Sequence, residues 1–164
     1  MYRFRALSVL VSALSLGACG SSSHTETPQE VVRGLDSGEL LLHLGYSGFG
    51  EPARLVVGDS AEWAARWATA FARQTSIPAL PTVNFARDMV LVAALGARPS
   101  GGYDIAIEGV APEEAGAVVL VTSTVPSDEC GYTAAITTPV VMLRVGAVAD
   151  GIRFLEEAET RSCE

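Results

Sequence analysis

Met89-Val90-Leu91-Val92-Ala93-Ala94-Leu95-Gly96-Ala97 is apolar at both sets of alternate positions. A strand with one wet face alternates apolar and polar residues, so this run predicts a central strand covered on both faces. Downstream, Tyr103, Ile105 and Ile107 alternate with Asp104 and Glu108, which is the pattern of a half-wet strand. Residues 117–125 and 140–145 supply two more strands, separated by the stretch from Pro126 to Pro139, and 152–155 a short last one after Ala149-Asp150-Gly151.

Upstream of the central strand the period changes. Trp63, Trp67, Ala70 and Phe71 recur at helical spacing, with Glu62, Arg66 and Arg73 on a polar flank. Asp59 is the expected N-cap and Glu62 stands at the capping-box distance, so one amphipathic helix is expected over about residues 60–75. Ile77-Pro78 and Leu80-Pro81 follow it as a stiff connector. Before the helix, the apolar run in residues 39–46 and the segment 53–57 flank the turn Ser47-Gly48-Phe49-Gly50-Glu51-Pro52, and are read as a hairpin. The expected fold class is α+β: a mainly antiparallel sheet of five or more strands with the helix packed on it.

The chain opens with Arg3 and Arg5, an apolar run over residues 6–16, and then Leu16-Gly17-Ala18-Cys19. That order reads as a secretory signal, and its ending resembles a bacterial lipobox. The resemblance implies cleavage after Ala18 and diacylglycerol on the Cys19 sulfur, with two or three acyl chains giving stable anchoring. Gly20 at the next position points to the outer membrane rather than the inner. The expected organisation is therefore a signal at 1–18, a lipidated flexible tether at 19–38 rich in Ser, Thr, Glu, Gly and Pro, and one domain at 39–164.

With Cys19 assigned to lipid, Cys130 and Cys163 remain, and outside the cytoplasm such a pair reads as a disulfide. The alternative is Cys130 as a nucleophile, but Asp128 and Glu129 beside it would raise the thiol pKa and disfavour the thiolate. All eleven basic residues are arginine, and the net charge is −8. Loss of the signal removes two arginines and leaves nine basic against nineteen acidic residues, net −10. Nucleic acid is excluded as a partner on this balance, since phosphate contacts need clustered basic side chains.

After the central strand comes Gly96-Ala97-Arg98-Pro99-Ser100-Gly101-Gly102-Tyr103, the composition of a tight exposed turn. Phe85, residues 89–95, this loop through Ile107, Pro126, and Thr138-Pro139 before an apolar strand resemble a PrcB C-terminal domain over roughly residues 85–145. The resemblance implies a non-catalytic accessory role, since the family's founding member is the lipoprotein subunit of a spirochaete chymotrypsin-like protease complex. It transfers no catalytic residues. Arg98, Pro99, Ser100, Gly101, Gly102 and Tyr103 are candidate partner contacts, and an exposed Arg beside a Tyr has the composition of an interface hot spot. The same residues also read as turn formers, with Tyr103 as a core residue at the start of a strand.

Catalytic signatures are sparse. His24 lies in the tether and His43 among leucines, where a hydrogen-bonded structural role is expected. No nucleophile elbow, Walker loop, zinc-protease helix or EF-hand is found, the acidic pairs read as solvated turns, and neither an enzyme nor a metal or other cofactor is expected. The expected function is a membrane-anchored module that binds an envelope or secreted protein, a protease among the candidates. Two alternatives stand beside it: a protease inhibitor that wedges residues 98–102 into a cleft, and a glycan binder that stacks sugars on Trp63 or Trp67. The glycan reading requires an exposed indole.

Overall fold

The computed structural model describes residues 35–148 and 151–162. The signal, Cys19, His24, Cys163 and all of the tether before Leu35 lie outside the described residues. The described chain forms β1 (Glu39–Leu44), β2 (Pro52–Val57), α1 (Ser60–Ala70), β3 (Asp88–Leu95), β4 (Asp104–Glu113), β5 (Gly116–Pro126), β6 (Val140–Gly146) and β7 (Ile152–Arg161). The fold is α+β, with seven strands in two sheets and one helix.

The first sheet has the order β1-β6-β3-β2 and is antiparallel throughout. The second has the order β4-β5-β7, with β4–β5 antiparallel and β5–β7 parallel. A parallel pair needs a crossover. Here β6 supplies it from the facing sheet, which interleaves the two sheets in sequence.

β3 lies at the centre, buried on both faces as its sequence predicts. Met89, Leu91, Ala93 and Leu95 meet β6 and the inner residues of β4 and β5 between the sheets. Val90, Val92 and Ala94 face α1, where Trp63, Trp67, Ala70 and Phe71 complete a second core. The molecule therefore has three layers: helix, four-stranded sheet and three-stranded sheet. Each strand of the sandwich keeps its apolar set inward because side chains alternate faces.

α1 is capped as expected, with Asp59 Oδ1 accepting from the amides of Ala61 (2.9 Å) and Glu62 (2.8 Å). Glu62 turns to Arg66 (2.9 Å), the i,i+4 pair. The helix stops at Ala70, short of residue 75, because its last carbonyls find other donors: Gly48 N–H reaches the Ala70 carbonyl (3.2 Å) and Ala72 N–H the Thr69 carbonyl (3.2 Å). The Pro-rich connector folds back over the helix, and its carbonyls accept the indole N–H groups, Trp63 to Pro81 (2.9 Å) and Trp67 to Pro78 (3.0 Å). Both indoles are buried, at 1% and 5% exposure.

The expected β1–β2 hairpin does not form. β1 and β2 occupy opposite edges of the first sheet, paired with β6 and β3. Residues 45–51 cross the end of the sheet instead of turning tightly, pinned by buried Ser47 and Thr138: Thr138 Oγ1 donates to the Ser47 carbonyl (2.6 Å) and Ser47 Oγ to the Thr138 carbonyl (2.7 Å). β3 and β6, apolar on both faces, take the two central places, and the shorter, wetter strands are left to the edges. β7 runs to Arg161, well past Leu155, because parallel pairing with β5 continues through Pro126↔Arg161 after its apolar residues end.

Candidate interaction site at the loop end

Three connections gather at one end of the sandwich: residues 45–51 between β1 and β2, 96–103 between β3 and β4, and 127–139 between β5 and β6. Backbone hydrogen bonds stitch them together. Ala97 N–H donates to the Gly50 carbonyl (2.9 Å), Arg98 and Thr137 exchange two bonds (2.8 and 3.0 Å), and Gly101 N–H donates to the Thr133 carbonyl (2.9 Å). Thr137 Oγ1 adds a bond to the Ser100 carbonyl (2.9 Å). A chain held at this many points loses little entropy on contact with a partner.

Two glycines permit the stitching. Gly96 has φ +73°, and a Cβ there would meet the backbone of Glu51 and Pro52. Gly102 has φ +85°, and a Cβ there would run into the Tyr132 ring, so Tyr132 lies flat across the glycine. L-residues resist this left-handed region, so both positions demand glycine. Gly101 has no such constraint; its nearest neighbours lie at 3.8 Å.

The six candidate contact residues thus divide by environment. Pro99 is exposed, and Ser100 and Gly101 are half-buried beside the partner loop. Tyr103 packs its ring partly into the inter-sheet core, and the Arg98 guanidinium lies 5.8 Å from the centroid of that ring. Arg98 Nε is buried without a hydrogen-bond partner among the described residues. The loop end also exposes residues that sequence reasoning passed over, Thr133 through Ile136, all uncharged, with Ile136 at 58%. Only their uncharged run between Glu129 and Arg144 marked them.

His43 Nε2 pairs with Asp104 Oδ1 at 2.6 Å, joining edge strand β1 to edge strand β4. Asp104 Oδ1 also accepts from the Ile105 amide (2.9 Å), and Arg161 approaches Oδ2 at 3.8 Å. The pair laces the first sheet to the second. Cys130 Sγ lies 3.9 Å from the Arg161 carbonyl oxygen, which brings the Cys130 loop to the end of β7. No group of three or more His, Cys, Asp or Glu side chains with metal-binding geometry occurs among the described residues. None of the described helices is long and apolar enough to cross a membrane.

The opposite end of the sandwich receives the incoming chain. Asp36 exchanges two backbone hydrogen bonds with Val110 (2.8 and 3.0 Å) near the far end of β4. The bulge at Gly109 admits it, since a Cβ there would meet the Asp36 carbonyl at 2.8 Å. Leu35 and Asp36, counted in the expected tether, are therefore held on the domain.

The stretch from β3 through β6 is the part with a known relation. Residues 89–146 match the PrcB C-terminal family. The PrcB-like segment contains two of the three stitched connections, 96–103 and 127–139, with the four strands that carry them. No curated protein and no solved structure matches the chain.

Proposed function

We propose that this protein is a lipid-anchored extracytoplasmic lipoprotein whose PrcB-like domain is a non-catalytic binding module for an envelope or secreted protein, with the loop end as its contact surface. The observation that carries the reading is the polarity of the domain. Its chain enters at Asp36, beside the end of β4, and the stitched loops lie beyond the start of the same strand. At about 3.3 Å per residue, the stretch of that strand from Asp104 to Val110 separates the two by roughly 20 Å. An anchor at Cys19 then holds one end near the membrane and presents the other, a pre-ordered surface whose charged residues are Glu51, Arg98, Asp128 and Glu129, to a partner.

In this reading Cys130 and Cys163 form a disulfide that ties the chain terminus to the 127–139 loop. The partner is a protease in the sense that the family resemblance implies, and the outer membrane is the expected location. The wedge-inhibitor alternative draws on the same pre-ordering of Arg98 to Gly102. The glycan alternative is dropped, because both indoles are buried and hydrogen-bonded.

The test is affinity capture from solubilised membranes with the full chain and with Pro99→Asp and Ile136→Asp. A specific protein captured by the wild type and lost with either variant supports the reading; no specific partner refutes it. Cys19→Ala should move the protein from the membrane to the soluble fraction. Substituting Arg98 and Ser100 together separates inhibition, which would vanish, from assembly, which would largely persist.

A further inference from the structure

β7 forms an edge of the second sheet, and no described strand pairs with its outer side. Two bonds fix which way its backbone points: the Gly151 carbonyl accepts from Ala117 N–H (3.1 Å), and the Arg161 carbonyl from Ser127 N–H (3.2 Å). Both acceptors are odd-numbered and face β5. In a parallel ladder alternate residues bond one neighbour, so the even-numbered residues of β7 present their N–H and C=O groups to the free edge.

The two halves of that edge differ. Along the first half, Arg54 of β2 reaches across the sandwich to Glu156, covering the edge with a charged clasp. Among the described residues the second half has no such cover. Its free-edge residues Ala158 and Thr160 are small and exposed. Between residues 159–162 of this half and the Cys130–Tyr132 part of the stitched loop lies an open groove of about 690 Å³.

The charges around the groove are one-sided. Glu157 and Glu159 project from β7 on the face opposite the core, and Asp128 and Glu129 flank the loop wall. Among the described residues that line the groove, Arg161 is the one cation opposing them, and it is drawn toward Asp104 at 3.8 Å. Glu159 keeps its place through a bond from Thr124 Oγ1 (3.0 Å).

We infer that the Ala158–Ser162 edge of β7 accepts an extended, basic segment of the protein partner as an added strand, its basic side chains set beside Glu157 and Glu159. Main-chain bonds to an open edge give the affinity in such strand addition, and the alternate side chains give the selectivity. Charge elsewhere on an edge guards it against indiscriminate pairing, which explains a clasp over one half only. The inference rests on the proposed binding role and names the chemistry of the partner.

The test uses the full chain in detergent micelles and two synthetic decapeptides, alternating Lys-Val and alternating Glu-Val, followed by amide NMR. The Lys-Val peptide should shift the amides of Ala158 and Thr160 saturably, with at least tenfold weaker effect from Glu-Val. Thr160→Pro removes an outward N–H without touching the β5 ladder; it should keep the wild-type spectrum elsewhere and weaken peptide binding at least tenfold. Glu159→Arg should reverse the peptide preference. No shift in these amides at millimolar Lys-Val peptide, or equal binding by Thr160→Pro, overturns the inference. A captured partner that Thr160→Pro retains and Ile136→Asp loses would overturn it while leaving the binding role standing. No partner captured by the wild type would refute the binding role itself.

Discussion

Arg54 grips Glu156 with both Nε (2.6 Å) and Nη2 (2.7 Å), so the edge strand of one sheet holds the edge strand of the other. Its third nitrogen, Nη1, donates to the carbonyls of Ala53 (2.8 Å) and Ala94 (2.7 Å). The opposite side of the sandwich is laced by His43 and Asp104. Further ion pairs stay within a sheet: Arg144 with Glu39, and Arg153 with Glu113.

Arg54→Ala removes the bridge and a donor from two carbonyls, so it should lower stability by about 1–3 kcal/mol. Glu156→Gln leaves those carbonyls satisfied and breaks only a half-exposed pair; its cost should stay below about 1 kcal/mol. Urea unfolding of both variants checks the order, and equal losses would contradict it.

Trp67→Ala should cost about 3–5 kcal/mol, the range for emptying an aromatic site in a packed core. The indole touches Trp63 at a centroid distance of 5.3 Å and Phe71 at 4.9 Å, and its N–H is bonded to Pro78. Trp67→Phe restores most of the volume but strands the Pro78 carbonyl, so it should cost less. Thermal melts distinguish the two.

Gly102→Ala combines a left-handed φ with a collision against Tyr132, and should destabilise by at least about 1 kcal/mol. Gly101→Ala meets only ordinary van der Waals distances and should be close to neutral. A melting point lowered equally by both substitutions would contradict the geometry of this loop.

If Cys130 and Cys163 are bonded, non-reducing peptide mapping should yield one linked pair, and reduction should lower stability by about 3–4 kcal/mol on the chain-entropy view. Two free thiols in the mature protein would refute the disulfide.

The local features were legible because they depend on neighbours in sequence. Asp59 before an apolar helical period is a cap wherever the helix packs, and residues 89–95 have no polar face to show solvent. The Arg98–Tyr103 loop was legible as a turn, but not its dependence on Tyr132 and Thr137, which arrive from the far side of β5. The hairpin reading failed for the same reason. Residues 45–51 look like a turn, yet Ser47 finds its partner in Thr138, 91 positions away.

By itself the sequence determined the α+β class, the helix and its cap, the doubly buried strand, and the PrcB relation over the middle of the chain. Periodicity, capping chemistry and glycine placement are local, and they survive any arrangement of the remaining chain. Only the tertiary structure decided that the strands split into two sheets, that β1 and β2 part to opposite edges, and that Arg54 meets Glu156. Those choices follow from which apolar faces can be covered at once. β3 and β6 must be buried on both sides, so the helix takes one face, the second sheet takes the other, and the wetter strands are left at the edges.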